Sequence, residues 1–257
     1  MSVHRTQAVV LRSRKIRESS KIVVLFSQNY GKISTIAKGS LKPKSKFGSS
    51  LELFTHSSIM FYRKENRELH TLSHSDIVNS FDNIKKDFVK LAYASVAGEV
   101  VERLVPQEEP NKPLFALLVS VLGEFAAAER PELEIVLSSY QLKMLHLIGY
   151  GPELAKCVRC SRAVDDRVWF GLLSGGILCP MCKDKDLHAV AMSEGALAVM
   201  RLCESEPLDK LRRAYPADGV TREVADILNS FVRVQLGERP GVKSLDFLER
   251  IRDAGNA

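Results

Sequence analysis

The chain has 257 residues, of which 45% are hydrophobic and 26% charged, with a formal net charge of +6. This is the composition of an ordinary globular protein with material for about two domains, and no repeat or low-complexity tract interrupts it. No apolar run approaches the roughly 20 residues a membrane helix needs, and AVVL at 8–11 is too short for the apolar core of a signal peptide, so a cytoplasmic protein without a membrane partner is expected.

Residues 6–80 read as strands. TQAVVL, KIVVLFS and KISTIA are short, rich in Val, Ile and Thr, and separated by turn residues such as NYG; LELF, SSIMFY and ELHTLSH continue the series. Five or six such strands predict a small closed barrel of the OB type, although the pattern alone would equally allow an SH3-like barrel. The same third of the chain holds the positive charge: residues 1–80 contain 14 Lys/Arg against 5 Asp/Glu, a net of +9, whereas the remainder carries 23 against 26, a net of −3. The charges cluster in turns, which points to a polyanionic partner. Lys38, Lys42, Lys44 and Lys46 sit in AKGSLKPKSKF, a Gly/Ser/Pro frame with no acidic residue, and Arg12, Arg14, Lys15, Arg17 and Lys21 surround the first strand-to-strand turn. These nine residues are the candidate phosphate-contact set for that polyanion, because Lys and Arg contacts to phosphate give affinity without sequence preference. Phe47 beside the loop either stacks on a base or plugs the barrel. His70 and His74 are placed on one solvated strand face.

From Asp82 the period changes. Ile84, Phe88, Leu91, Ala92, Val96, Val100 and Leu104 form one helical stripe with Asp82 as N-cap, ending near VPQEEPNKP. LFALLVSVLGEFAAA and LEIVLSSYQLKMLHLIGYG supply two more helices, the second stopped by Gly149 and Gly151. After an interruption, Ser193 is the expected cap of GALAVMRLC, and Thr221 of REVADILNSFVRVQL, which ends at Gly237.

The interruption at 152–190 contains CVRC at 157–160 and CPMC at 179–182, eighteen residues apart. Two C-x2-C turns can close a tetrahedron of thiolates around one Zn2+, and VWFGLLSGGIL between them reads as strand, turn, strand. Cys157, Cys160, Cys179 and Cys182 are therefore the candidate ligands of one structural Zn2+, with disulfides or unligated thiols as the alternative. Cys203 falls in phase with Ala196, Val199 and Met200 and reads as a core residue, and His188 as a surface residue near the fourth cysteine. The expected architecture is α+β multidomain: an OB-fold over 1–80, a mainly helical domain over 81–257 and a zinc ribbon or knuckle inserted at 152–190. No phosphate-binding loop, dinucleotide fingerprint, HExxH or GxSxG occurs, so binding rather than enzymatic chemistry is expected.

Three stretches carry a resemblance. ESSKIVVLFSQNYGKISTIAKGSLKPKSKFGSSLELF at 18–54, GYGPELAKCVRC at 149–160 and RPGVKSLDFL at 239–248 are together similar to the RecO family of bacterial recombination mediators, in the same order along the whole chain. The resemblance implies an N-terminal OB-fold, a helical domain and a four-cysteine zinc unit. It implies a DNA repair and recombination protein, nucleoid-associated, that binds single- and double-stranded DNA and anneals complementary strands. With RecR such a protein helps RecA load onto DNA covered by single-strand-binding protein (SSB). Two places depart from the family pattern: Leu51-Glu52-Leu53-Phe54, where Leu-Gln-Pro-Phe is usual, and Ser138-Ser139-Tyr140, where an Arg beside an aromatic is common on the helix that holds the SSB tail in relatives. Lys143 on that helix and Lys243 in the C-terminal stretch are the candidate cations for such a tail. The competing reading is a protein-interaction adaptor whose basic face docks acidic partner tails, with DNA binding incidental.

Overall fold

The structure is a computed structural model that describes residues 2–63, 67–164, 167–213, 219–237 and 241–254. It divides into two compact units, Met1–Ala126 and Ala127–Ala257.

The first unit is built on five strands: β1 (Ser2–Arg17), β2 (Ser20–Ser27), β3 (Gly31–Ala37), β4 (His56–Arg63) and β5 (Leu69–Asn79). They form a closed barrel in the order β1-β2-β3-β5-β4, the OB arrangement. Closure depends on β1, which is long enough to serve two neighbours. Residues from Ser2 to Val9 pair antiparallel with β4, and residues from Ala8 to Arg17 pair antiparallel with β2. Register shifts at Val10/Arg12 and Lys15/Arg17 bend the strand around the barrel. The seam between β3 and β5 is parallel and only three residue pairs wide, Ser34↔Leu69 to Ile36↔Thr71. Inward positions alternate along the strands, so Ala8, Val10, Val23, Leu25, Ile33 and Phe61 fill one core.

LELF is not a strand. Gly48–Leu51 form a short 3-10 turn, and Phe54 takes a left-handed φ of 62°. Its N–H bonds the carbonyl of Val10 (2.9 Å), which pins the loop beneath β1 instead of adding a strand to the sheet. His70 and His74 also part company. A register shift between Met60 and Phe61 breaks the alternation opposite them: His70 is buried and bonds Glu108 (3.1 Å), whereas His74 is exposed and pairs with Asp76 (2.9 Å).

The stripe that starts at Asp82 is two helices, α1 (Asp82–Lys86) and α2 (Phe88–Leu104). Asp82 lies inside α1. Asp87 is the cap, its carboxylate accepting from the N–H groups of Val89 (2.8 Å) and Lys90 (3.2 Å), and the break leaves Phe88 60% exposed. α2 packs on the barrel through Gly98, where an added Cβ would come within 3.0 Å of the Phe54 ring. α3 (Lys112–Ala127) sets Phe115 against Phe26 and His56, with ring centroids 6.2 and 5.7 Å apart. Gly31, at φ 63°, lies so close to the backbone of Glu109 that a Cβ there would meet its carbonyl oxygen at 2.2 Å.

The second unit contains α4 (Leu133–Leu147), α5 (Glu194–Ser205), α6 (Leu208–Arg213), α7 (Val220–Leu236) and α8 (Lys243–Ala254), split by a three-stranded sheet. Ser193 caps α5, accepting from Ala196 N–H (3.0 Å). Thr221 does not cap α7, which begins one residue earlier after Gly219, and Gly237 closes it. α4 is buried nearly all round and reaches α7 through a buried Gln141–Asn229 hydrogen bond (3.0 Å). Arg252 of α8 pairs with Glu134 of α4 (2.7 Å).

The Asp87 cap gives a direct test of the helix break. Asp87→Ala leaves two N–H groups unsatisfied and is expected to cost about 1 kcal/mol, read as a lower urea midpoint at unchanged slope.

Candidate nucleic-acid interface and four-cysteine centre

The strand pairing brings two separate basic stretches together. β1 and β2 turn over between Arg17 and Ser20, and the carbonyl of Ser19 accepts the N–H of Leu41 (3.1 Å), so the 38–47 loop is tied to that turn. The loop itself is a pair of turns, with Lys42 N–H bonding Gly39 O (3.2 Å) and Ser45 N–H bonding Lys42 O (3.0 Å). Gly39 supplies the φ of 70° that the first turn needs. Lys15 and Lys21 lie directly opposite each other across β1 and β2, and Lys21 lies opposite Ala37, the neighbour of Lys38. Like charges in directly opposed positions destabilise a sheet by a few tenths to about 1 kcal/mol unless an anion lies between them.

Arg14, Lys15, Lys38, Lys42, Lys44 and Lys46 are exposed and Lys21 half-buried, and none of the seven forms an ion pair among the described residues. Arg12 differs: it pairs with Glu102 of α2 at 2.9 Å, so its charge is already answered. The side chain of Arg17 lies outside the described residues. Phe47 is 3% exposed and belongs to the barrel core, with Lys46 Nζ 5.5 Å from its ring centroid. It plugs the barrel and offers no face to a base. Two other cations of the N-terminal third are structural. Lys32 is buried and donates to the Glu102 carbonyl, and Arg63 bonds Glu108. Pairings of this kind link residues 45 to 70 positions apart, and no local pattern announces them.

The four cysteines converge. Their sulfurs lie within 4.8 Å of one another, all four are free thiols, and only Cys160 is exposed. The two knuckles have matching hydrogen bonds, Ser161 N–H to Cys157 O (2.8 Å) and Lys183 N–H to Cys179 O (3.1 Å). The hairpin of β6 (Val168–Gly171) and β7 (Gly176–Leu178) returns the chain, and Val158 N–H bonds Ile177 O (2.9 Å), placing the first knuckle beside the second. β8 (Ala189–Met192) adds a third strand on the other edge of β6. Buried Asp186 holds the turn: its carboxylate accepts from the N–H groups of Leu173 (3.1 Å), Ser174 (2.7 Å) and His188 (2.9 Å). Burial opposes ionisation there, but these donors win and keep the carboxyl below its ordinary range. A Cβ on Gly171 would meet the same carboxylate at 2.7 Å. Packing of Phe170 against Phe231 (centroids 5.3 Å apart) anchors the sheet to α7.

Four sulfurs this close cannot all ionise without a cation. Burial and the neighbouring sulfurs push the Cys182 thiol up to about 12. At Cys157 burial acts in the same direction, yet backbone N–H groups of Cys179, Cys160 and Arg159 draw it down to about 6. The separation of Cys160 and Cys179 sulfurs, 3.7 Å, matches the edge of about 3.8 Å of a tetrahedron with metal–sulfur bonds of about 2.3 Å. The donor set and spacing therefore fit one metal ion of the zinc class. His188 is exposed and outside the cluster. Cys203 is a core residue of α5, its thiol raised to about 12 by burial against a smaller opposing effect of Lys143.

Lys143 and Lys243 have different surroundings. Lys143 is half-buried and donates to the Glu204 carbonyl (2.7 Å), with desolvation lowering its pKa against Cys203, Glu204 and Glu206. Lys243 begins α8 and is exposed. A cavity of about 440 Å³ opens beyond the end of α4, lined by His146, Pro152, Glu153, Leu154, Arg201 and Glu204, and contains neither lysine.

Among the described residues no helix is long and apolar enough to cross a membrane. Two family models match the chain, recombination protein O N terminal over residues 1–81 and recombination protein O C terminal over residues 85–246. The chain is 31% identical to a DNA repair protein RecO of Symbiobacterium thermophilum, over 99% of this chain and 100% of the relative. It is also 31% identical to one of Pelotomaculum thermopropionicum, over 99% and 96%, and 30% identical to one of Halalkalibacterium halodurans, over 98% and 96%. Matches to both halves in chain order, together with relatives aligned end to end, show that this chain belongs to the recombination protein O (RecO) family of DNA repair proteins.

Proposed function

We propose that this chain is a non-enzymatic recombination mediator that binds single- and double-stranded DNA at the basic end of its barrel and anneals complementary strands. With RecR it would help RecA load onto SSB-coated DNA in the nucleoid. The observation that carries the DNA reading is the Leu41–Ser19 hydrogen bond, which joins the 38–47 loop to the β1–β2 turn, where seven cations have no carboxylate partner among the described residues. Arg14, Lys15, Lys21, Lys38, Lys42, Lys44 and Lys46 are the phosphate contacts in this reading, with Arg17 beside them. Arg12 contributes only if DNA displaces Glu102. Annealing follows from neutralisation: two strands repel, a basic surface lowers that repulsion where they meet, and the stacking of the duplex drives the product.

Cys157, Cys160, Cys179 and Cys182 hold one structural Zn2+ in this reading. A bound Zn2+ supplies charge compensation for the thiolates, and four sulfur ligands leave no position for a reacting water. For an acidic SSB tail, Lys243 is exposed and without an ion pair among the described residues, whereas Lys143 would first have to leave the Glu204 carbonyl. That internal engagement favours DNA over the adaptor reading as the main role of the chain.

Two measurements test this. Fluorescence anisotropy with oligonucleotides across a salt series is expected to show a steep slope for the parent, and Lys42→Ala, Lys44→Ala, Lys46→Ala together should flatten it by up to about 0.9 units per lost duplex phosphate contact. Equal loss on all sequences is expected, and a triple variant that binds like the parent would remove the loop from the interface. Elemental analysis of protein purified without chelators is expected to find one Zn2+ per chain. Cys157→Ser or Cys179→Ser should lose the metal and lower the melting temperature, because binding is coupled to folding of the insert.

A further inference from the structure

The basic barrel end is not the only dense patch of positive charge without an ion-pair partner among the described residues. Residues 154–164, LAKCVRCSRAV, contain Lys156, Arg159 and Arg162 and no acidic residue. They form the first cysteine knuckle, a loop closed by a bridge between Lys156 and Ala163 and by Cys157 N–H to Arg162 O (2.9 Å). All three cations are exposed, and none forms an ion pair among the described residues.

We propose that this knuckle, Lys156–Ala163, is a second phosphate-contact surface for nucleic acid on the same chain, with Lys156, Arg159 and Arg162 as its cations. The inference rests on the DNA-binding reading above and extends it to the other compact unit. Two features favour it. The knuckle is held rigid from both sides, by Val158 on β7 and by the turn at Ser161, which adopts a φ of 59°. Its outward residues are Ala155, Lys156, Arg159, Cys160, Ser161, Arg162 and Ala163, while Val158 and Val164 turn inward. The loop itself turns no large apolar side chain outward, the exposed Met181 belonging to the second knuckle, and a uniformly charged phosphate backbone needs only fixed cations. A chain with one such surface in each unit has the means to hold two strands at once, which annealing requires.

The test uses the full-length, metal-loaded protein, an Arg159→Glu, Arg162→Glu variant and the barrel triple variant. Zinc content and free-thiol titration serve as the folding control. Two quantities are then read: the salt slope of duplex binding, and capture of a second, non-complementary labelled oligonucleotide by protein already saturated with bead-tethered DNA. The knuckle variant is expected to keep its metal, to lose roughly one to two units of slope, and to capture the second strand at least about tenfold less well. A variant that keeps its metal and matches the parent in both readouts overturns the proposal while the barrel reading stands, provided the barrel triple variant is weakened. A parent that binds no DNA overturns both. Should the variant lose its metal, acetylation of Lys156 in the unaltered protein decides. Protection by duplex DNA supports the proposal; no protection, or protection by polyglutamate alone, which would mark a protein-docking surface, overturns it.

Discussion

The double pairing of β1 is the constraint on which the first unit depends. A strand of ordinary length, about five or six residues, can satisfy one neighbour along its length, or two along the same residues. β1 extends over sixteen and gives its first half to β4 and its second half to β2, overlapping only at Ala8 and Val9. That stagger closes the sheet and removes its edges. It also carries the second half of β1 away from β4 to the turn where the cations gather. Both register shifts fall in that half, so the bending needed for closure is the bending that aims the Arg14–Arg17 segment at the 38–47 loop.

The charges of the N-terminal third fall into two populations once the fold is formed. Lys32, Arg12 and Arg63 find acceptors on α2 or on the segment that follows it, Glu102 and Glu108, and so help hold the helices to the barrel. The cations of the β1–β2 turn and the 38–47 loop find none among the described residues, and Lys15 and Lys21 oppose one another directly. A fold that places like charges together without local compensation is poised for an external polyanion, since each phosphate gained relieves repulsion as well as adding attraction.

The cysteine insert solves a different problem. A segment of about forty residues is near the size below which a hydrophobic core rarely suffices. Here three short strands, a carboxylate bonded to three N–H groups and a cluster of four sulfurs share the work, with Phe170 on Phe231 as the main apolar tie to α7. The side-chain cations of the first knuckle, Lys156, Arg159 and Arg162, face outward.

Much of this was legible in the residues alone. Strand and helix periods, the C-x2-C spacing, the strand–turn–strand hairpin between the cysteine pairs and the basic loop all follow from local chemistry, and so does the cap at Ser193. The sequence reading went astray in two ways: at LELF a non-local contact won, the Phe54–Val10 hydrogen bond claiming it as a loop, whereas at Asp82 a stronger local cap won, Asp87 taking the N–H groups of Val89 and Lys90. The sequence by itself determined which residue types could bind a polyanion or a metal, because those properties belong to side chains and short spacings. Only the tertiary structure decided which of the cations remain available, because whether Arg12 meets Glu102 or Lys32 meets its carbonyl depends on segments tens of residues apart being folded against each other.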